Sequence, residues 1–534
     1  MMKKAIAIAL CGLTVFAAAA CAPEEQIIYS NPQVLSEAGT YPILKDEYVG
    51  EIELTIMGAN NAAINPDWAN NKFFQRMEEL TGLSFNFEVY GDDMYDEKKS
   101  LALATGNNLP DIFFKASFSN YDEVTYGGKT LRSLNDLIDN YAPNIKKLLD
   151  ENPIVRKSIT TTDGNIYALP TIYTNLPEGV ENIMRGFFWI NETWLEDLGL
   201  EMPTTPDEFL NVMREFREHK CRPAREGGYP LVIAGRDDLL RLFNFFGLDL
   251  SQYWVQSLDG SGKITFGPQT DQFKEALEFI RTLYEEGLMN LDWSTTTATD
   301  ISALGPSGDY YGCFVQAAPQ YVVGFTKMYD YTTLDPISTT GEGGFWSATH
   351  PVQRGCFAIT TACEYPEAAI RWIDSLYDTS SPYGLWAIIG QENVEWEWLD
   401  EEHTQWQSTV SDAEYSEVMA TTIIQTGDGM PYAVDESFWG KQRTATDMYT
   451  RPLRDEQMKY GKVGYPGVYF NSRDLREMSD LAADINSYIN RFIASSVSTE
   501  GYLDANWDSF KQFDRLQLDY YLEMLQERYD DFYA

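Results

Sequence analysis

Histidine is nearly missing from this chain and cysteine is scarce: of 534 residues, three are His and six are Cys. His219, His350 and His403 stand far apart and none sits in an HExxH pattern, so a zinc-protease site is not indicated. Cys11, Cys21, Cys221, Cys313, Cys356 and Cys363 include no CxxC pair, which argues against zinc and redox centres. Cys356 and Cys363 are the one close pair, and a strand is expected to separate them, so buried free thiols are predicted rather than a bridge. Positive charge is also short. Forty Lys and Arg face 81 Asp and Glu, a formal charge of −41. Such a surface repels nucleic acid and anionic lipid, and no nucleic-acid partner is expected. No GxSxG elbow occurs. Gly127-Gly128-Lys129-Thr130 ends like a phosphate loop, but Glu123 stands where the first glycine should be. No repeat or low-complexity stalk is present, which disfavours an adhesive or structural surface protein.

Long apolar runs are absent too, with one exception at the start. Lys3 and Lys4 precede an apolar stretch from Ala5 to Ala20, and Cys21 follows. A charged start, a short apolar core and small residues before a cut make a secretory signal. The stretch is somewhat short for a spanning helix and polar sequence follows at once. The string Phe16-Ala17-Ala18-Ala19-Ala20-Cys21 resembles a bacterial lipobox, with Ala18 in place of the commoner leucine. That resemblance implies a signal peptide over 1–20 and lipidation at Cys21, which would hold the protein on the outer face of the cell membrane. Residues 21–48, rich in Pro, Glu, Ser and Gly and without periodicity, are expected to be a lipid-anchored linker.

The body that follows is long enough for two or more lobes, each with its own core. Residues 51–57 (EIELTIM) and 83–89 (LSFNFEV) alternate like strands. Between them Phe73, Phe74, Met77 and Leu80 share a helical face that Gly82 ends, with a start predicted at Asn65-Pro66. A second helix through Leu101 and Ala104 closes at Gly106, and IFF at 112–114 follows. This β-α-β-α-β order predicts a mainly parallel sheet with helices on both faces. Thr205-Pro206-Asp207-Glu208 is a capping box ahead of Phe209, Val212, Met213 and Phe216. Pro366 opens another stripe through Ile370, Ile373 and Leu376, and several helices are expected from about 470 to the end.

Several strings, in order, resemble the family 1 extracellular solute-binding proteins of ABC importers, which are maltose-binding-protein-like, and especially their long Gram-positive lipoprotein branch. They are FFQRMEELTGLSFNFEV, ALATGNNLPDIFF, DGNIYALP, FFWINETWLEDLGLEMPTTPDEFLNVMREF, GCFAITTACEYPEAAIRWIDSLYD, IIGQENVEWEW and, near the end, ANWDSF and LEMLQERYDDF. The resemblance implies an α/β type II fold of two lobes, each a mainly parallel sheet flanked by helices, with extra C-terminal helices. Lobe 1 would take 49–171 plus 352–395 and lobe 2 would take 172–351 plus 396–534. The first crossing would fall in IYALPTIYT and the return crossing at 354–360. It also implies a captured solute of the oligosaccharide class, ABC permease subunits as partners, a monomer, and no enzymatic activity of its own. Long relatives often carry a calcium loop after the PTTPDEF-type helix. Here that place reads HKCRPAREGGYPL, with one acid, and no metal or other cofactor is expected.

Ligands of open α/β sheets bind beyond the carboxyl ends of strands. Sugars need flat aromatics against their C–H faces and amides or carboxylates on their hydroxyls. Two loops offer that mixture: GANNAAINPDW, with Asn60, Asn61 and Trp68, and KASFSNYDE, with Ser117, Phe118 and Asn120. Tyr173 and Asn175 follow the first crossing. The family resemblance adds Gln316, Gln320 and Tyr321 from DYYGCFVQAAPQYV. Phe345 and Trp346 lie in a Gly-flanked turn, and Arg354 precedes the return strand. Trp386 and Trp396 are nearby aromatics, Trp386 reading as core. A secreted glycoside hydrolase would share export and an aromatic cleft but needs two carboxylates at a set separation. A non-sugar solute such as a peptide is the other alternative.

Overall fold

The computed structural model describes residues 29–59, 67–424 and 429–534. The signal, Cys21 and the nominated Asn61, with Asn60, Asn65 and Pro66, lie outside those residues. No helix among the described residues is long and apolar enough to cross a membrane.

Ten strands build two sheets. They are β1 (Glu53–Ala59), β2 (Ser84–Tyr90), β3 (Ile112–Phe114), β4 (Leu169–Thr174), β5 (Phe187–Asn191), β6 (Tyr229–Val232), β7 (Tyr311–Gln316), β8 (Tyr331–Thr333), β9 (Val352–Ile359) and β10 (Ala433–Asp435). The first sheet runs β10-β4-β9-β3-β1-β2 and the second β8-β5-β7-β6. In the first, β9 alone runs against its neighbours. The second keeps a parallel pair only between β6 and β7, and its β5 lies antiparallel to both β7 and β8. The expected two-lobed α/β architecture is present, but the second sheet is more antiparallel than read. Its reversed strand β5 arrives directly from the other lobe rather than through a crossover helix, so nothing forces it parallel.

Helices form where the sequence marks them. Thr205 accepts from Glu208 and caps Pro206–His219, whose Phe209, Val212, Met213 and Phe216 are buried in lobe 2. The first helix begins later than expected. It spans Lys72–Thr81, with Asn71 as its cap accepting from the Phe73 amide, because Trp68 folds into the core ahead of it. The C-terminal helices Ser472–Ser498, Tyr502–Phe510 and Leu518–Tyr533 pack into lobe 2 through Ile485, Ile489, Phe492, Phe510 and Leu525. Each fully buried side chain of this size stabilises by roughly 1.5–3 kcal/mol.

Two boundaries need correction. The linker expected over 21–48 is docked on lobe 1 from residue 29 onward: Val34, Leu35, Ile43 and Leu44 are in its core. The Arg371 guanidinium donates to the Ser36 and Glu37 carbonyls at 2.8 and 2.9 Å. Four apolar residues in two pairs suffice to dock the strap, yet they show no periodicity in the sequence. Second, residues 396 to about 440 belong with lobe 1, not lobe 2. Strand β10 pairs parallel with β4, and Ile424, Met430, Tyr432 and Val434 sit in the lobe 1 core. The hairpin of Trp396–Trp398 and Trp406–Ser408 is tied there as well, since Glu395 takes both bonds from Arg76 at 3.1 Å. A third crossing therefore follows β10, through the helix Ala445–Met458. Cys221, Cys313, Cys356 and Cys363 are free thiols, as expected.

Candidate functional site

The topology brings two sheet edges together. In lobe 1, β1, β3, β4 and β10 run parallel and end at Ala59, Phe114, Thr174 and Asp435, beside the start of β9 at Val352. In lobe 2, β6 and β7 end at Val232 and Gln316, beside the start of β5 at Phe187. The chain passes from one edge to the other at 174–187 and 347–352, so the ends of the strands face a common cleft.

On the lobe 1 edge the loop after β3 is held in a costly conformation. Lys115 and Ser117 have φ of 53° and 48°, in the left-handed region. The neighbours impose it. The Ala116 and Phe118 amides donate to the Cys356 and Gly355 carbonyls at 2.9 Å, and Lys99 Nζ donates to the Ser117 carbonyl at 3.0 Å. Gly355, at φ 72°, makes the approach possible: a Cβ there would stand 2.3 Å from the Phe118 carbonyl oxygen. The loop thus presents Ser117 to solvent on a rigid support. Asn120 does not face free space. Its Nδ2 donates across to the Val468 carbonyl of lobe 2 at 2.9 Å.

On the lobe 2 edge, Gln316 is spent locally, its Oε1 accepting from the Ala317 amide and its carbonyl from Trp189 Nε1. Gln320 opens the helix Gln320–Lys327, and its Oε1 is buried without a hydrogen-bond partner among the described residues. A buried acceptor left open costs about 1–3 kcal/mol, which a donor from a ligand would recover. Tyr321 beside it is 61% exposed. A cavity of about 210 Å³ lies on the same edge, lined by Arg185, Asp237, Arg241, Ser251 and Ser347. Arg241 donates to the Gly186 carbonyl at 3.2 Å, and burial pushes the neighbouring Asp238 carboxyl up to about 6. Nothing in the periodicity of the sequence marks this polar pocket.

Four nominated side chains are elsewhere. Trp68 is 2% exposed and packs on Phe74, Phe87 and Phe114 in lobe 1, over Gly58, whose missing Cβ makes its room. Trp346, also 2% exposed, packs on Phe188 and Phe245, with Nε1 donating to Gln457 Oε1 at 3.0 Å. Phe345 and Phe118 are buried too, the latter against Phe113. In each case burial of a large ring outweighs its use as a platform. Arg354 is committed to the protein: its guanidinium lies 4.8 Å from the Tyr469 ring and 3.4 Å from the Gly467 carbonyl. Tyr173 and Asn175 open onto a groove of about 1340 Å³ beside the crossings, with Lys147, Glu151, His350, Lys462 and Tyr533. Asn175 donates to Asp435 at 3.0 Å and ties the first crossing to β10. His350 is stacked on Phe532, and burial lowers it to about 4, so it is neutral near pH 7. Of the residues expected to bind solute, Ser117 is exposed beyond the end of β3 and Tyr321 beyond the end of β7, while Gln320 Oε1 is buried without a hydrogen-bond partner among the described residues.

At the place of the family's calcium loop, Arg222 lies 5.2 Å from the Tyr310 ring and 3.7 Å from Glu226. The sequence also missed the charged third crossing. Arg451 pairs with Glu436 at the end of β10, and Arg454 lies 5.4 Å from the Phe187 ring.

Two α/β lobes with facing strand ends and three crossings define a hinged solute-binding architecture. The chain belongs to the bacterial extracellular solute-binding protein family, whose pattern matches residues 61–381. It is 28% identical over 535 aligned residues to the fructooligosaccharide ABC transporter substrate-binding protein FusA of Streptococcus pneumoniae serotype 4, covering 95% of this chain and 94% of that one. The structure of S. pneumoniae FusA in complex with kestose superposes with a TM-score of 0.73 at 27% identity, over 90% of this chain and 99% of that one. A solute-binding protein from Bifidobacterium longum infantis, described as binding HMO, shares the fold at a TM-score of 0.74 and 20% identity, over 90% of this chain and 99% of that one.

Proposed function

We propose that this protein is the substrate-binding component of an ABC importer, held at the outer face of the membrane through a lipid on Cys21, and that it captures an oligosaccharide without altering it. The observation that carries the reading is the end-to-end likeness to FusA, in sequence over 95% of the chain and in fold over 90%. The cleft supports it. An unpaired amide oxygen at Gln320, an exposed phenol at Tyr321 and a hydroxyl at Ser117 on a strained, fixed loop suit the hydroxyls and C–H faces of a sugar. Solute touching both edges favours the closed arrangement only by its differential affinity for it. Permease subunits would then receive the sugar, and a separate ATPase would supply the energy.

Calorimetry with kestose, longer fructooligosaccharides, other neutral oligosaccharides and a peptide control tests the proposal. Binding by a sugar that mass spectrometry recovers intact is the expected result. Shortened sugar would make the protein a hydrolase, and binding confined to peptide would replace the solute class. Labelling with a radioactive fatty acid, lost in Cys21→Ala, tests the anchor.

A further inference from the structure

The segment 465–472 belongs to lobe 2 by its core residues Tyr465, Val468 and Phe470, yet lobe 1 grips it at several points. Tyr469 Oη donates to Glu123 Oε2 at 2.9 Å, and Asn120 Nδ2 donates to the Val468 carbonyl at 2.9 Å. Ser472 Oγ donates to the Val124 carbonyl at 3.4 Å. Arg354, on β9, covers the Tyr469 ring and reaches the Gly467 carbonyl. Glu123 is 1% exposed and its second oxygen has no hydrogen-bond partner among the described residues. The groups facing it are Arg354 and the Cys356 thiol from β9, Tyr469 from the C-terminal segment, and Asp122 on its own helix, itself 3.9 Å from Lys99. Arg354 and Tyr469 favour its charge. Asp122 and burial oppose it.

We propose that Glu123 and the segment 467–472 form a proton-sensitive clasp between the lobes, tighter while the Glu123 carboxyl is neutral and looser once it is charged. A charged carboxylate regains water if the clasp opens, whereas a neutral one gains little. Burial is the largest influence on this carboxyl and moves it from 4.5 up to about 7 in the clasped form. The sign follows by linkage. The clasp is strongest below about 4.5, weakens by up to about tenfold per pH unit as pH rises toward 7, and levels off above. Acidification therefore stiffens the joint on which ligand release depends.

Hydrogen exchange of ligand-free, full-length protein tests this, with protection factors corrected for intrinsic pH dependence and small-angle scattering in parallel from pH 4.5 to 8.5. In the wild type, protection of the helix Asn120–Tyr126 and of 467–472 should fall across that window while the radius of gyration rises. Glu123→Gln, fixed in the neutral form, should keep the acid-state protection throughout. Tyr469→Phe removes a donor that favours the charge, so its fall should extend to higher pH. It serves as the second variant should Glu123→Gln not fold. A flat wild-type profile, or an unchanged pH response in the variants, overturns the proposal. No ligand enters these measurements, so their failure leaves the oligosaccharide reading untouched.

Discussion

The two lobes solve one packing problem in the same way and a second differently. Each sheet holds a glycine under a core aromatic: Gly58 on β1 beneath Trp68, and Gly312 on β7 beneath Phe216. A Cβ at either would stand 2.4 Å from a ring carbon. Both lobes thus give up a side chain on a strand to seat a large ring, and the ring joins the core instead of the cleft. At the cleft they diverge. Lobe 1 offers a stiff loop locked by Lys99 and β9, whereas lobe 2 offers a helix start with an open amide acceptor and an exposed phenol. Aromatic content alone therefore does not locate a sugar site. On the reading proposed above, polar capacity left over after the core is satisfied marks the cleft.

Truncating the rings tests the first half of this comparison and has the largest expected effect. Trp68→Ala and Trp346→Ala should each cost about 3–5 kcal/mol in urea unfolding, from lost burial and the cavity left behind. Parity between them would confirm that both are core. A loss of sugar affinity in Trp346→Ala without loss of stability would return that ring to the cleft.

The pH dependence of stability comes next, and the lobe junction contains two opposed groups. Glu123 is raised to about 7 from 4.5, so its contribution is full below 4.5 and lost as pH rises through 7. At pH 8 Glu123→Gln should recover up to roughly 3 kcal/mol of that loss, and little at pH 4.5. His350 is lowered to about 4 from 6.5, so its contribution is full above 6.5 and lost as pH falls through 4. His350→Phe should therefore flatten the acid limb of a stability–pH curve, where Glu123→Gln flattens the neutral one. Smaller still are Gly58→Ala and Gly312→Ala, each expected to cost about 1–3 kcal/mol by overpacking. A cost in one lobe only would show that the other ring can move aside.

What the sequence discloses follows the range of the interaction. The β-α-β-α-β start, the Thr205–Glu208 box and the C-terminal helices are local, and residues a few positions apart determine them. The strap at 29–48 and the third crossing depend on partners hundreds of residues away. Arg371 holds Ser36, and β4 receives β10. No periodic signal in either segment reports such a partner. The site is legible to the same degree. Ser117 follows from the strand-end rule, and Gln320 and Tyr321 from the family resemblance; the three stand just beyond the ends of β3 and β7. Trp68 and Phe118 come from strand-end loops by the same rule and Trp346 from a Gly-flanked turn, yet all three are buried, because burial claims a ring wherever a glycine or a neighbouring ring leaves room. Arg354 was nominated as a cation near a cleft, but the interlobe contact it serves is visible only once the C-terminal segment is in place.

The finest test separates the two edges of the cleft. Gln320→Ala removes an acceptor that has no partner among the described residues, so its folding stability should stay the same or rise slightly. Its affinity for a bound oligosaccharide should fall by about 1 kcal/mol, roughly fivefold, if that oxygen receives a sugar hydroxyl. Tyr321→Ala, at an exposed position, should likewise spare stability while weakening binding by a similar amount if the ring stacks on a sugar face. Ser117→Ala belongs on the opposite edge. Should closure bring both edges onto one ligand, Ser117→Ala with Gln320→Ala should cost less than the sum of the single changes, since losing either contact lowers the population that makes the other and leaves the second change less to remove. Strict additivity in calorimetry would instead mean that the two edges hold the solute independently, and that closure contributes nothing to capture.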